Sequence, residues 1–318
     1  MRKICIMELL SNNNVRSLFG YIRLDETSSL FHSIQSYCGE PFNKSFSFTS
    51  AITSRAAFRV ILKEQDSSIK FMKKGVTLVG VFKLADLYPS LKFLQIFCWN
   101  NHQLLKTRHK LDSILDILLN EHKDKLARGQ RANGELGSEN VVDVILRKQL
   151  SGKLDVQITN DHIQGQTKAW AGPDYSLNPH VMAEAQAKIR EAFKGKNTIE
   201  ESDIQKLKYQ KLIIKENFRY LRRTRNEPQR FEKSSVDLLE KNYEYIPFES
   251  GRRRFCPGMN FGIANIDVPL AQLLYRFDCK LPHGMNPSDL DMSEILGLRV
   301  QRKNNLYVIA TPYKPPTV

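Results

Sequence analysis

The stretch Phe248-Glu-Ser-Gly-Arg-Arg-Arg-Phe-Cys256-Pro-Gly258 restricts what this chain can fold into more than any other segment. It ends a Gly- and Arg-rich loop on one cysteine and leads directly into an amphipathic helix. Phe261, Ile263, Ile266, Leu270, Leu273, Leu274 and Phe277 recur at helical spacing, so Cys256 lies at or near the helix start. There the unpaired backbone N–H groups and the positive end of the helix dipole stabilise a thiolate. Arg252, Arg253 and Arg254 add positive charge that suits a carboxylate or phosphate. A thiolate held in that setting has the character of a metal ligand.

A chain of 318 residues can bury a large core in one or two domains. Its 41% hydrophobic and 26% charged residues are those of a soluble globular protein. Forty-eight basic against thirty-four acidic residues leave a net charge of +14. Such a charge suits nucleic acid, an anionic membrane surface or an acidic protein, and equally a merely solvated basic surface. No RNA-binding motif, zinc-finger spacing or long basic tract is present, so nucleic acid is not expected as a partner. The five cysteines, 5, 38, 98, 256 and 279, are odd in number and widely spaced, which argues against a disulfide framework and for a reducing compartment. No apolar run is long enough to span a bilayer, and no signal peptide is evident.

Helical periodicity dominates the rest. Residues 3–10 and 15–24 carry helix-compatible apolar positions around a break at Asn12-Asn-Asn14. Leu104, Leu111, Leu115, Leu118 and His122 share one face of a long helix that ends near Gly129, and the polar segment 128–140 follows as a loop. Met182, Ala185, Ile189 and Phe193 mark a helix entered after Asn178-Pro179 and closed by Gly195. Leu207, Ile214 and Leu221 mark the next. Leu298–Arg302 and Leu306–Ala310 flank Lys303-Asn-Asn305, a pattern that predicts a small β-hairpin.

Taken in order, these segments resemble cytochrome P450. The loop is similar to the family's haem-binding pattern Phe-x-x-Gly-x-Arg-x-Cys-x-Gly. Phe248 to Arg253 match it, with one extra residue before Cys256. The segments 259–265, 269–278 and 290–307 are similar to plant enzymes of the 71 clan, as are Ile52–Phe58 and Leu84–Leu91. Glu216-Asn-Phe-Arg219, alone a surface ion pair worth under about 1 kcal/mol, aligns with the family's Glu-x-x-Arg motif. Pro228-Gln-Arg-Phe231 resembles the downstream Pro-Glu-Arg-Phe, so Arg230 would complete a buried structural triad with Glu216 and Arg219. Only eight residues separate Arg219 from Pro228, where family members carry a long stretch of strand and loop. Met1 to Ser11 resembles the C helix, with Arg2 at the position that meets a haem propionate. The other reading of Arg2 is a solvent-exposed terminal residue. Ala171-Gly-Pro-Asp-Tyr-Ser176 is similar to the distal Ala-Gly-x-Asp-Thr-Ser motif, with Asp174 as the acid. Pro173 costs a helix about 3 kcal/mol, so a surface turn is the competing local reading.

The resemblance implies a mainly α fold, helical and P450-like with small β-hairpins and incomplete, over residues 1–318 as a single partial domain without the N-terminal anchor. It implies haem b (iron protoporphyrin IX) ligated through Cys256, with Arg254, Arg253, Phe248 and Arg2 around it. The implied activity inserts one oxygen atom from O2 into a small hydrophobic, terpenoid-like or other specialised metabolite. Electrons would come from NADPH through a separate, acidic, flavin-containing NADPH–cytochrome P450 reductase. A monomer is expected at the cytosolic face of the endoplasmic reticulum, soluble or peripheral as written. The alternative is a catalytically inactive truncated product or an incomplete gene model.

Overall fold

Ser11 sets the first helix. Its hydroxyl accepts from the Asn14 N–H at 3.3 Å, and Asn12–Ser36 run as one helix, α1, behind a π-helical turn at Cys5–Leu9. The Asn run is therefore the first turn of a helix, not a break, because the cap satisfies an orphan donor that a loop would leave to water. The computed structural model describes residues 5–37, 39–43, 45–58, 99–127, 140–150, 179–196, 199–218, 228–232, 234, 248, 256–286, 289–291, 293–295 and 301–314. The expected loop at 128–139, the segment 84–91, Leu221 and the turn around Pro173 lie outside these residues.

The chain divides into two units. The first comprises Met1–Lys44, Tyr175–Leu290 and Leu306–Val318, and the second Ser45–Asp174 and Asp291–Asn305. In the second, the helices α2 (Ser45–Phe58), α3 (Trp99–Ala127) and α4 (Val141–Leu150) bury Ile52, Ala56, Leu119, Val142 and Ile145. His122 ties all three together, with Nδ1 2.8 Å from Asp143 Oδ1 and Nε2 3.2 Å from the Phe58 carbonyl.

In the first unit, Pro179 opens α5 (Pro179–Ala192), as the sequence predicts, and Gly195 at φ +82 turns the chain out of it. A capping box between Glu200 and Asp203 opens the short α6 (Glu201–Ile204), and α7 (Lys208–Asn217) follows. The helix beyond Cys256 is α8 (Met259–Arg276). Val181, Ala185 and Ile189 of α5, Ile213 of α7, and Val268, Ala271 and Leu274 of α8 form one apolar cluster. On another side of α8, Phe19 of α1 meets Phe261 edge-on at 5.3 Å. So α8 is wedged between helices, as its apolar positions require.

Among the described residues, the pairing expected for a hairpin across Lys303-Asn-Asn305 is not found. Ile309–Pro312 (β4) pairs antiparallel with Phe277–Lys280 (β1), which continues α8 without a loop. Gln301–Arg302 (β3) pairs instead with Glu294–Ile295 (β2). Burial decides between these pairings: β1 and β4 cover Phe31, Ile34 and Phe42 with Phe277, Cys279 and Ala310, and a local hairpin buries no comparable set.

Candidate functional site

Cys256 stands three residues ahead of α8, half-buried and in no disulfide. Its carbonyl accepts from Met259 N–H at 3.3 Å, which folds the chain into the helix. Its own N–H donates to the Phe248 carbonyl at 2.8 Å. Phe248 holds φ at +55, the left-handed region that bulky residues rarely adopt. The ring of Phe248 meets that of Phe218, the residue capping α7, at 4.7 Å between centroids and 69° between planes. A Cβ built on Gly258 lies 3.9 Å from Cys256 Sγ, and one on Gly262 meets no described atom within 4 Å. The two glycines are four residues apart and share a face.

Near the end of α7, beside Phe218 in sequence, lies a buried carboxylate with an exposed arginine partner. Glu216, its side chain 3% exposed near the end of α7, receives Arg230 Nε at 3.3 Å. Arg230 sits on the 3₁₀ turn Pro228–Phe231, which packs on α7 through buried Pro228 and Phe231. A charged residue on an amphipathic helix ordinarily faces water, so the burial of Glu216 excludes the surface reading of its motif. Two of the three expected triad members are thus brought together. Arg219, Arg252, Arg253, Arg254, Arg2 and Asp174 lie outside the described residues.

Sequence reasoning passes over three features. Phe218 sits inside the Glu-x-x-Arg motif at an unspecified position, and only its place beside Glu216 could have marked it. Arg23 of α1 has no exposed surface. Its Nη2 reaches the two Glu201 oxygens at 2.7 and 2.8 Å, and both Nη atoms donate to the Val15 carbonyl at 3.1 Å. Asp267 of α8 accepts from Gln210 Nε2 at 3.0 Å beside a cavity of about 850 Å³ between α5, α7 and α8, and burial pushes its carboxyl up to about 6.

The residues fit a metal that brings most of its own ligands. Among the described residues no three His, Cys, Asp or Glu side chains converge on a point that could hold a bare ion. A free cysteine with Gly258 beside its sulfur instead suits a flat prosthetic group needing one protein ligand.

Comparisons with known proteins agree. The profile of the Cytochrome P450 family matches residues 224–308. Premnaspirodiene oxygenase of Hyoscyamus muticus is 41% identical over 375 residues, covering 99% of this chain and 74% of that protein. Cytochrome P450 71D95 of Mentha spicata is 39% identical over 375 residues, with the same coverage. 5-Epiaristolochene 1,3-dihydroxylase of Nicotiana tabacum is 39% identical over 377 residues, again 99% of this chain and 74% of that protein. The first match runs over 375 positions against 318 residues here, a difference of at least 57 positions without a counterpart in this chain. The fold and these relatives define a class, the mainly helical monooxygenases. The chain belongs to the cytochrome P450 family, in its plant 71 clan. The family implies haem, a redox partner and a hydrophobic substrate. Among the described residues, no helix is long and apolar enough to cross a membrane.

Proposed function

We propose that this chain, as one partial P450 domain, binds haem b through Cys256 and oxygenates a small hydrophobic, terpenoid-like metabolite. The carrying observation is the free, half-buried Cys256, its amide fixed on the Phe248 carbonyl and its sulfur beside Gly258. Haem bound there supplies activation of O2 and transfer of one oxygen atom to the substrate. The chain's own residues do the holding. The Phe248 carbonyl fixes the Cys256 backbone just ahead of the start of α8. Glu216 and Arg230 lock the turn at Pro228–Phe231 against α7. From their sequence positions, Arg253, Arg254 and Arg2 would hold the haem propionates, Arg219 would join the Glu216–Arg230 pair, and Asp174 would be the distal acid. The substrate class rests on the relatives named for terpenoid oxygenation and hydroxylation. Similarity to these enzymes through 99% of the chain lends no support to an inactive product. Electrons come from NADPH through a separate acidic flavin reductase, which a +14 chain attracts as a monomer at the cytosolic face of the endoplasmic reticulum.

The test is a ferrous–CO difference spectrum of haem-supplemented protein and of Cys256→Ala. The expected result is a thiolate-type Soret band that the variant loses. Absence of haem uptake by the unaltered chain, or the same band in both proteins, refutes the assignment.

A further inference from the structure

Resting on the reading of Cys256 as the iron ligand, we infer that Phe218 is a positioning residue that acts on Cys256 through Phe248. Phe248 is a bulky residue in left-handed backbone, a conformation that persists only where the surroundings enforce it. Phe218 supplies that enforcement: the two rings meet edge-on at 4.7 Å. Phe218 is itself fixed. Its N–H donates to the Ile214 carbonyl at 3.1 Å, ending α7 two residues beyond buried Glu216, which pairs with Arg230. The turned Phe248 then aims its carbonyl at the Cys256 N–H, 2.8 Å away. A strut thus runs from α7 through two rings and one hydrogen bond to the cysteine.

The strut has a specific use in this chain. One extra residue separates Arg253 from Cys256, so the intervening sequence alone does not set where the sulfur falls. A carbonyl-to-amide closure across the loop sets it from the other side, independently of loop length. Phe218 therefore fixes the sulfur without touching it.

The test measures alkylation of Cys256 by iodoacetamide in the haem-free full chain, read by peptide mapping. Buried Cys279, whose thiol burial pushes up to about 11, is the internal control for folding. Phe218→Ala should speed Cys256 alkylation about two- to tenfold, the range set by loss of one aromatic pair, because the half-buried sulfur loosens into solvent. Phe248→Gly should do the same, although glycine relaxes the left-handed backbone. Phe218→Leu, which keeps apolar bulk, should fall between. In haem-supplemented protein the thiolate-type share of the ferrous–CO band, per haem bound, should fall in the same order. An unchanged or slower Cys256 rate in Phe218→Ala overturns the inference. If Cys279 also becomes reactive in that variant, Phe218→Leu decides by the same criterion. Faster alkylation in the variants with no haem uptake by any chain keeps the strut and rejects the iron-ligand reading. A normal haem band in every chain with unchanged alkylation does the reverse.

Discussion

Glu201→Ala tests how the first helix is bound to the rest of its unit. Arg23 is fully buried, and its guanidinium has two sources of acceptors, the Glu201 carboxylate and the Val15 carbonyl. Its Nε already has no partner. In Glu201→Ala, five N–H donors of a fully buried guanidinium are left with one protein acceptor, the Val15 carbonyl. Breaking a buried pair from one side costs about 3–5 kcal/mol. The Glu201 side chain is 21% exposed, so solvent enters where it stood and the lower end, about 3 kcal/mol, applies. For a cooperative unit of 150–250 residues that lowers the melting temperature by about 6–12 °C. Thermal unfolding followed by circular dichroism, with urea titration as a check on two-state behaviour, measures it. The double variant Arg23→Met/Glu201→Leu removes both charges and should recover most of the loss. A Glu201→Ala melting point within about 2 °C of the unaltered protein refutes the reasoning, as does a double variant no better than the single.

Two further outcomes follow from α8 and α1. Burial is the chief reason the Asp267 carboxyl rises from 3.8 to about 6; Glu201 also raises it, while Gln210, Lys211 and Arg16 oppose the rise. The folded chain therefore holds this proton more tightly than the unfolded one, and the carboxyl's contribution is lost as pH climbs from about 4 through about 6. Asp267→Asn, which keeps an acceptor for Gln210, should be more stable than the unaltered protein above pH 6 by up to about 3 kcal/mol, with the gap closing towards pH 4; urea midpoints that differ equally at all pH values count against it. A Cβ at Gly20 lies 3.3 Å from Glu201 Oε2, pinned by Arg23. Gly20→Ala should forfeit its usual helix gain of about 1 kcal/mol in the unaltered background and recover it in Glu201→Ala; a full gain in both backgrounds means the carboxylate gives way freely.

What the sequence makes legible is what local physics decides. Pro179 opens α5 and Gly195 leaves it because proline fits a first turn and glycine a left-handed exit, whatever packs nearby. Cys256 ahead of an amphipathic helix is visible for the same reason. The misreadings come from contacts that composition and pattern alone do not display. The alternation around Lys303-Asn-Asn305 has a hairpin's pattern, yet Ile309–Pro312 find better-buried partners in Phe277–Lys280. Asn12-Asn-Asn14 has a breaker's composition, but Ser11 caps it into a helix. Arg23 and Glu216 are charges on helices, and each is buried against a partner from another element, Glu201 in one case and Arg230 in the other. Phe218 becomes significant only when Phe248 folds back against it.

The pairing of β4 with β1 has a consequence for the order in which the molecule can be completed. Phe42 bridges to Val308, and Asn43 donates to the Leu306 carbonyl across a separation of 263 residues. On the ribosome, α1 and α8 emerge well before the strand that finishes their shared sheet. Until then β1 presents a bare edge, and Phe31, Phe42 and Phe277 lack the cover that Ala310 provides. The far end of α8, the helix that Cys256 precedes, is thus tied down only when residues 306–312, the last part of the chain to be made, are in place.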